Sequence, residues 1–167
     1  MIVSDTSPIS YLVITGYEEL LPVLYGEVLI PEAVSRELGH PEGPAPVSDW
    51  IAAPPPWLTV KSIQPGSEEQ RSRHGRETLQ HLDPGERAAI SLAEQTDAQI
   101  LLIDETAGRE AARAHGLEVT GMIGVLGAAG PDGAVPGRWA ATAKQPAPFR
   151  NVSRKVRRDV DMKPIDR

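Results

Sequence analysis

Short apolar runs alternate along the chain with longer segments whose apolar residues recur at helical spacing. The runs are continuous, too brief for helices and bounded by turn or helix-start residues, which favours buried strands. Strands that alternate with helices are typical of a mostly parallel sheet with helices on both faces, so a three-layer α/β/α fold is predicted. The predicted strands are 1–3, 28–30, 57–63, 100–104 and 117–120, and the predicted helices are 7–16, 18–24, 31–38, 83–96, 106–115 and 122–129.

Capping residues mark several helix boundaries. Ser7 followed by Pro8 predicts an N-cap and a first helical residue, and Gly39 is expected to end its helix in the left-handed conformation. Asp83 and Glu86 have the spacing of a capping box, in which each side chain accepts a hydrogen bond from the other residue's backbone. These two residues predict a helix that starts directly after Asp83.

Domain organisation follows from length and from where the regular pattern stops. The 167 residues, with 40% hydrophobic side chains, suffice for one domain, which we place at 1–129. Within it, 40–82 is predicted to be an irregular insertion because it is rich in Pro and Gly. Residues 130–167 are predicted to be a basic C-terminal segment, interrupted by Gly and Pro and partly disordered.

Composition excludes several classes of protein. The chain has no Cys, so disulfides and thiolate metal sites are excluded, and a cytoplasmic location is expected. It shows no signal-peptide pattern and no apolar stretch long enough to cross a bilayer, so no membrane association is expected. The four His residues are scattered without metal-ligand spacing, which favours solvated or locally hydrogen-bonded roles.

Charge is distributed unevenly around the total of −6. Residues 1–137 carry a net charge of −12, whereas 138–167 carry +6, with a dense basic cluster. One interpretation is a cation-holding acidic body with an arm that approaches phosphate groups, and the other is a solvated terminal helix. The cluster consists of Arg154, Lys155, Arg157 and Arg158.

Two carboxylates stand where apolar runs stop. Residues 1–3 lead through Ser4 into Asp5, and 100–103 lead directly into Asp104. In open α/β sheets, ligands bind at the carboxyl ends of the strands. Two acids that converge there predict a cation site.

Two further acids fit poorly into purely structural roles. Glu37 lies in the last turn of its predicted helix, where a negative charge opposes the helix dipole, and it borders the apolar stripe of Val34 and Leu38. Glu86 has a structural role as capping-box partner, yet it shares a helical face with Ile90. With Asp5 and Asp104 they form a set of four acids whose pattern favours function.

The four acids lie in four short motifs that occur in order within residues 1–127. The motifs are Asp5-Thr6-Ser7-Pro8, Pro31-Glu32-Ala33-Val34 through Glu37-Leu38, Leu82-Asp83-Pro84-Gly85-Glu86 with Ala88-Ala89-Ile90, and Leu102-Ile103-Asp104-Glu105 leading into Gly108-Arg109. Together they resemble the PIN domain family. More narrowly, they are similar to prokaryotic PIN proteins described as predicted nucleic-acid-binding proteins and related to the toxins of toxin–antitoxin pairs.

This resemblance implies a metal-dependent ribonuclease that releases a 3′-hydroxyl and a 5′-phosphate. By position, Asp5, Glu37, Glu86 and Asp104 would be the catalytic, metal-binding acids, holding Mg²⁺ or Mn²⁺. All-oxygen ligands suit such hard cations and discriminate against Zn²⁺. The supporting residues would be Thr6 or Ser7, which help to orient Asp5, and Glu105, an imperfect substitute for a further acid seen in many PIN domains.

The resemblance also implies partners, namely RNA, a small cognate antitoxin protein and a second copy of the chain in a homodimer. Arg109 and Arg113 share a helical face beginning just beyond Asp104, so they are candidate phosphate contacts, with pairing to surface acids as the simpler alternative. The serious alternative function is a PIN-fold protein that binds RNA or a partner without cutting.

Other phosphate-handling classes fit less well. A receiver-type signalling domain wants two acids after its first strand, and a haloacid-dehalogenase-type phosphatase wants Asp-x-Asp, whereas this chain has Asp5-Thr6-Ser7. The glycines at 121, 124 and 127 lack the spacing of a dinucleotide-binding fingerprint.

Overall fold

In the computed structural model, residues 1–63 and 79–129 are described. They form an all-parallel sheet of five strands in the order β3-β2-β1-β4-β5, with seven helices. The strands are β1 (Ile2–Ser4), β2 (Val28–Pro31), β3 (Leu58–Lys61), β4 (Leu101–Leu102) and β5 (Val119–Thr120). The helices are α1 (Thr6–Thr15), α2 (Leu20–Tyr25), α3 (Glu32–Leu38), α4 (Ala45–Ala52), α5 (Pro84–Gln95), α6 (Thr106–Ala114) and α7 (Met122–Ala128).

Alternate residues of the central strands point to two separate cores. Ile2 of β1 packs in a cluster with residues of α1 to α4 and α7, whereas Val3 packs in a second cluster with residues of α5 and α6. The same alternation occurs in β4, where Leu102 belongs to the first cluster and Leu101 to the second. Such strands are buried on both faces because helices cover each face of a parallel sheet. The predicted three-layer α/β/α fold is therefore confirmed.

Helix α1 begins one residue after β1, earlier than predicted. Its N-cap is Asp5 rather than Ser7, so Ser7 and Pro8 lie within the first turn. Pro8 is tolerated at this depth because the first four N–H groups of a helix have no partner inside the helix. Asp5 therefore lies directly at the junction between β1 and α1.

The predicted left-handed cap at Gly39 is wrong. Gly39 has a φ of −86°, and the chain leaves α3 through a further turn in which the His40 N–H donates to the Glu37 carbonyl. A left-handed residue is not needed in that turn. Gly16, in contrast, ends α1 with a φ of 73°, a conformation that favours glycine.

The segment predicted as an irregular insertion contains regular structure. Within 40–63 the chain forms α4 and then β3, and β3 overlaps the predicted strand 57–63. Val47 and Ile51 of α4 are buried in the first core cluster, and Leu58 anchors β3 there. Pro44 precedes α4 as its N-cap and Pro46 lies in its first turn, where proline costs no hydrogen bond.

Some predictions fall outside the described residues. These are the predictions for residues 64–78 of the insertion and for the basic C-terminal segment 130–167, including its predicted partial disorder. The division into a domain at 1–129 and a separate tail stays a prediction. Among the helices of the described ranges, none combines the length and apolar character required to span a bilayer.

Candidate active site

The first two acids leave neighbouring strands at the carboxyl edge of the sheet. Ser4 of β1 pairs with Leu102 of β4, and the Asp5 N–H donates to the Leu102 carbonyl at 2.9 Å. Asp5 follows β1 directly, and Asp104 follows β4 two residues after Leu102. The register therefore brings the two strand ends together, as the sequence predicted.

Asp5 is buried, with 3% of its surface exposed. Its Oδ1 has no hydrogen-bond partner among the described residues. The pKa of this carboxyl is raised to about 7, chiefly by burial and in smaller part by the charges of Asp83, Glu86 and Glu37, against the opposing effect of the Thr6 backbone N–H. A carboxylate with these surroundings needs a proton or a cation to offset its charge.

Glu86 is buried to a similar extent, with 4% exposure. The predicted capping box is present: the Asp83 N–H donates to Glu86 Oε2 at 3.2 Å, and the Glu86 N–H donates to Asp83 Oδ1 at 2.8 Å. Oε1 of Glu86 has no partner within the described part of the chain. Burial raises the pKa of this carboxyl, and the charges of Asp83, Glu105 and Glu37 add to the effect.

Glu37 is half-buried near the end of α3 and is held by a side chain from α1. The Thr6 hydroxyl donates to Glu37 Oε2 at 2.5 Å. The backbone of Gly85, in the first turn of α5, lies against the same carboxylate. Thr6 was predicted to help orient Asp5; its backbone N–H is hydrogen-bonded to the Asp5 carboxyl, and its hydroxyl holds Glu37.

Asp104 is half-buried and is held by the start of α7. Its Oδ1 accepts from the Met122 N–H at 3.0 Å, as expected for a carboxylate at a helix N-terminus. Gly121, the N-cap of that helix, packs against the same oxygen. Arg109 reaches this corner from α6, where its Nη1 donates to the Ile103 carbonyl at 2.9 Å.

The remaining predicted residues form no side-chain hydrogen bond to the acids in the described structure. Ser7 is half-buried in the first turn of α1, with no side-chain bond among those described. Glu105 is exposed as the N-cap of α6, and its charge contributes to the raised pKa of Glu86. Arg113 is exposed in the last turn of α6, about one turn beyond Arg109, and is free to meet solvent or a ligand.

Sequence reasoning missed two kinds of residue at this edge. Asp83 was interpreted only as a helix cap, yet its charge raises the pKa of both Asp5 and Glu86. No role at the site was predicted for the three glycines that pack against Glu37, Glu86 and Asp104, which are Gly85, Gly108 and Gly121. A usable signal existed for Gly108, because a glycine inside a helix costs about 1 kcal/mol relative to alanine and so needs a packing reason.

The acids fit a hard divalent cation in their chemistry, although they do not form a complete ligand shell. In residues 1–63 and 79–129, no group of three or more acidic or histidine side chains is placed to hold a metal ion. Glu37 and Asp104 are each engaged with a donor of their own. The unpartnered buried oxygens of Asp5 and Glu86 are the atoms best suited to an oxygen-preferring cation.

Several classes of phosphate-handling protein carry acids at the carboxyl edge of a parallel α/β sheet, and a comparison of sequences identifies the family. A family model described as a PIN domain, DUF3368, matches residues 1–142. The chain therefore belongs to this PIN domain family, as the motifs predicted. A search of curated proteins finds no match. PIN domains act on nucleic acids, often as nucleases that depend on divalent metal ions.

Proposed function

We propose that this chain is a divalent-metal-dependent endoribonuclease. The observation that carries the proposal is the presence of two buried carboxylates, Asp5 and Glu86, each with an oxygen that lacks a partner in the described structure. Buried charges are normally paired or coordinate metals. Acidic neighbours raise the pKa of each of these two carboxyls, and no basic side chain pairs with either one in the described structure, so we propose a divalent cation as their partner.

The proposed metal-binding acids are Asp5, Glu37, Glu86 and Asp104, and the proposed ion is Mg²⁺ or Mn²⁺. When bound, the ion would supply Lewis acidity toward the phosphate and lower the pKa of a bound water. Thr6 positions Glu37, and the Met122 N–H positions Asp104, through the hydrogen bonds described above. Asp5 and Glu86 would supply the oxygens that have no other partner.

We propose RNA as the substrate, and the two arginines of α6 are assigned different roles toward it. Arg113 is exposed and can approach a phosphate, whereas Arg109 is half-buried and already donates to the Ile103 carbonyl. Arg109 is therefore better suited to holding the end of β4 than to leaving it for substrate. A toxin role, with a small antitoxin protein and a homodimer, rests on the resemblance of the motifs and stays a proposal.

One observation favours the alternative function, an RNA- or protein-binding module without cleavage. No metal-holding group of three is formed within the described ranges. A protein that has lost catalysis would keep the fold and the acids but would gain nothing from a divalent ion. The two functions therefore differ in their response to Mn²⁺.

The test incubates purified protein with labelled single-stranded RNA and Mn²⁺, beside Asp5→Asn and Glu18→Gln. Glu18 is a matched control because burial raises the pKa of its carboxyl and its Oε2 lacks a partner in the described structure, yet its charged neighbour is Glu19, outside the acidic edge. We expect cleavage by wild type and by Glu18→Gln, and none by Asp5→Asn. RNA binding without cleavage by wild type would instead support the binding module.

A further inference from the structure

We propose that Gly85, Gly108 and Gly121 are positioning residues of the acidic site. Each presents its bare Cα to one carboxylate, and each belongs to a different helix or helix cap. The pairs are Gly85 with Glu37, Gly108 with Glu86, and Gly121 with Asp104. The inference rests on the proposed function, because it assigns the residues that set where the proposed metal ligands lie.

In the first pair, the Glu37 carboxylate is confined between Gly85 and the Thr6 hydroxyl. A Cβ at Gly85 would lie 2.5 Å from Oε2 and 2.9 Å from Oε1 of Glu37, closer than real Cβ contacts allow. The Thr6 hydroxyl holds the same Oε2 at 2.5 Å. Glu37 can therefore make room for an added methyl group only by giving up that hydrogen bond or by moving its helix.

The second pair involves the oxygen that lacks a partner. A Cβ at Gly108 would lie 2.5 Å from Oε1 of Glu86 and would also collide with the Ile103 side chain. Because Oε2 of Glu86 is engaged in the capping box, rotating the carboxylate away would break the cap. The absence of a side chain at 108 thus leaves Oε1 in its buried position.

The third pair has the tightest approach. A Cβ at Gly121 would collide with Oδ1 of Asp104, the oxygen that accepts from the Met122 N–H, and would lie 3.1 Å from Nη1 of Arg109. An alanine at this position would have to displace the acid, the helix start or the arginine. Gly121 therefore leaves room for the Asp104 carboxylate, which follows β4, to bond the start of α7.

Backbone conformation does not explain these glycines. The described glycines with positive φ are Gly16, Gly26 and Gly116, so the three paired glycines adopt conformations open to any residue. Alanine is the better helix former, and Gly85 and Gly108 lie within helices. Space next to the carboxylates, and at Gly108 also next to the Ile103 side chain, is the remaining reason for glycine at these positions.

The chain offers two matched controls on one helix. A Cβ at Gly127 in α7 would meet nothing within 4 Å, and a Cβ at Gly124 would meet the Thr120 hydroxyl rather than an acid. Gly127→Ala therefore tests the effect of alanine alone. Gly124→Ala tests the effect of a steric collision away from the carboxylates.

The experiment records carboxyl ¹³C resonances of the metal-free protein for each glycine-to-alanine variant. We expect the largest change at Glu37 in Gly85→Ala, at Glu86 in Gly108→Ala and at Asp104 in Gly121→Ala. Gly127→Ala and Gly124→Ala should leave those three resonances close to their wild-type positions. Changes of equal size in the variants and the controls would overturn the proposal.

A second measurement titrates the same variants with Mn²⁺ alone and follows binding by water proton relaxation. We expect the dissociation constant to rise at least 10-fold in the three paired variants and to stay within 2-fold of wild type in Gly127→Ala. If wild type binds no Mn²⁺, the proposed nuclease function fails, while the ¹³C measurement still decides the role of the glycines.

A double variant distinguishes a specific clash with Glu37 from a general loss of stability. If Gly85→Ala lowers the melting temperature, Glu37→Asp in the same chain should recover it, because the shorter acid withdraws from the added methyl group. Glu37→Asp alone is expected to lower the melting temperature through the weakened contact with Thr6. Equal damage from Gly85→Ala in both backgrounds would show that the methyl group does not act through Glu37.

Discussion

The four acids form two pairs with different surroundings. Asp5 and Glu86 are buried, each with an oxygen that lacks a partner in the described residues and a carboxyl whose pKa burial raises. Glu37 and Asp104 are half-buried and accept hydrogen bonds from Thr6 and Met122. The first pair carries an electrostatic cost that a cation would offset, whereas the second pair is held in place by the protein itself.

The largest expected effect is the loss of RNA cleavage when one acid of either pair is neutralised, and it distinguishes a catalytic role from a structural one. Asp5→Asn and Asp104→Asn should each lower RNA cleavage by at least about 1,000-fold if the acids hold the ion and position a water. Asp5→Asn should keep the metal-free melting temperature of wild type or exceed it, and Asp104→Asn should lose little, because the amide oxygen can still accept from the Met122 N–H. The measurement is cleavage rate beside thermal unfolding in a chelator. Variants that unfold, with a wild type that ignores the cation, would show that the acids are structural.

The cost of the first pair should be visible as a pH dependence of stability. Asp5 loses its proton near 3.8 when unfolded and near 7 when folded, so the metal-free free energy of unfolding should fall as pH rises across that interval. The difference between those values corresponds to at most about 4 kcal/mol. Urea unfolding in a chelator measures it. Asp5→Asn should flatten the slope, and an unchanged slope would refute the assignment to Asp5.

Divalent ions should reverse that cost. An ion that binds only the folded state at 100 times its dissociation constant stabilises it by about 2.7 kcal/mol. We therefore expect Mn²⁺ to raise the melting temperature of wild type, most clearly above pH 7, where Asp5 is ionised. Glu18→Gln should respond like wild type. A shift of the same size in Asp5→Asn would place the ion elsewhere.

The smallest effect is expected from removing the hydrogen bond that holds Glu37 in place. Thr6→Val removes the hydroxyl that donates to Glu37 while nearly preserving side-chain volume. The loss of a hydrogen bond to a charged group is expected to cost about 1.5–3 kcal/mol at most, less here because Glu37 is half-buried. Mn²⁺ affinity should weaken by less than in Asp5→Asn. Thr6→Ser, which keeps a hydroxyl, should retain wild-type affinity if the hydrogen bond matters.

The sequence predicted those parts of the site that depend on local pattern. Asp5 and Asp104 were placed at strand ends because apolar runs stop before them, and the pairing of β1 with β4 brings those ends together. The capping box of Asp83 and Glu86 was predicted from spacing alone and is present. Such features depend on residues that are close together in the sequence, so a single sequence is enough to predict them.

Contacts between distant segments could not be read in this way. The hydrogen bond from Thr6 to Glu37 joins residues 31 positions apart, and the packing of Gly108 against Glu86 depends on how α6 lies beside α5. Helix α4 was missed because its proline content suggested irregular structure, whereas burial of Val47 and Ile51 stabilises it. Tertiary packing overrides local propensity in such cases.

The order of the strands in the sheet has a consequence for how the chain folds while it is being synthesised. β1, made first, occupies the middle of the sheet, and one of its two neighbours, β4, is made roughly a hundred residues later. Pairing across so large a separation is slow and comes late in folding. A nascent chain that has not yet passed Asp104 lacks part of the acidic set, so under the proposed function an unfinished polypeptide is expected to be unable to cut RNA.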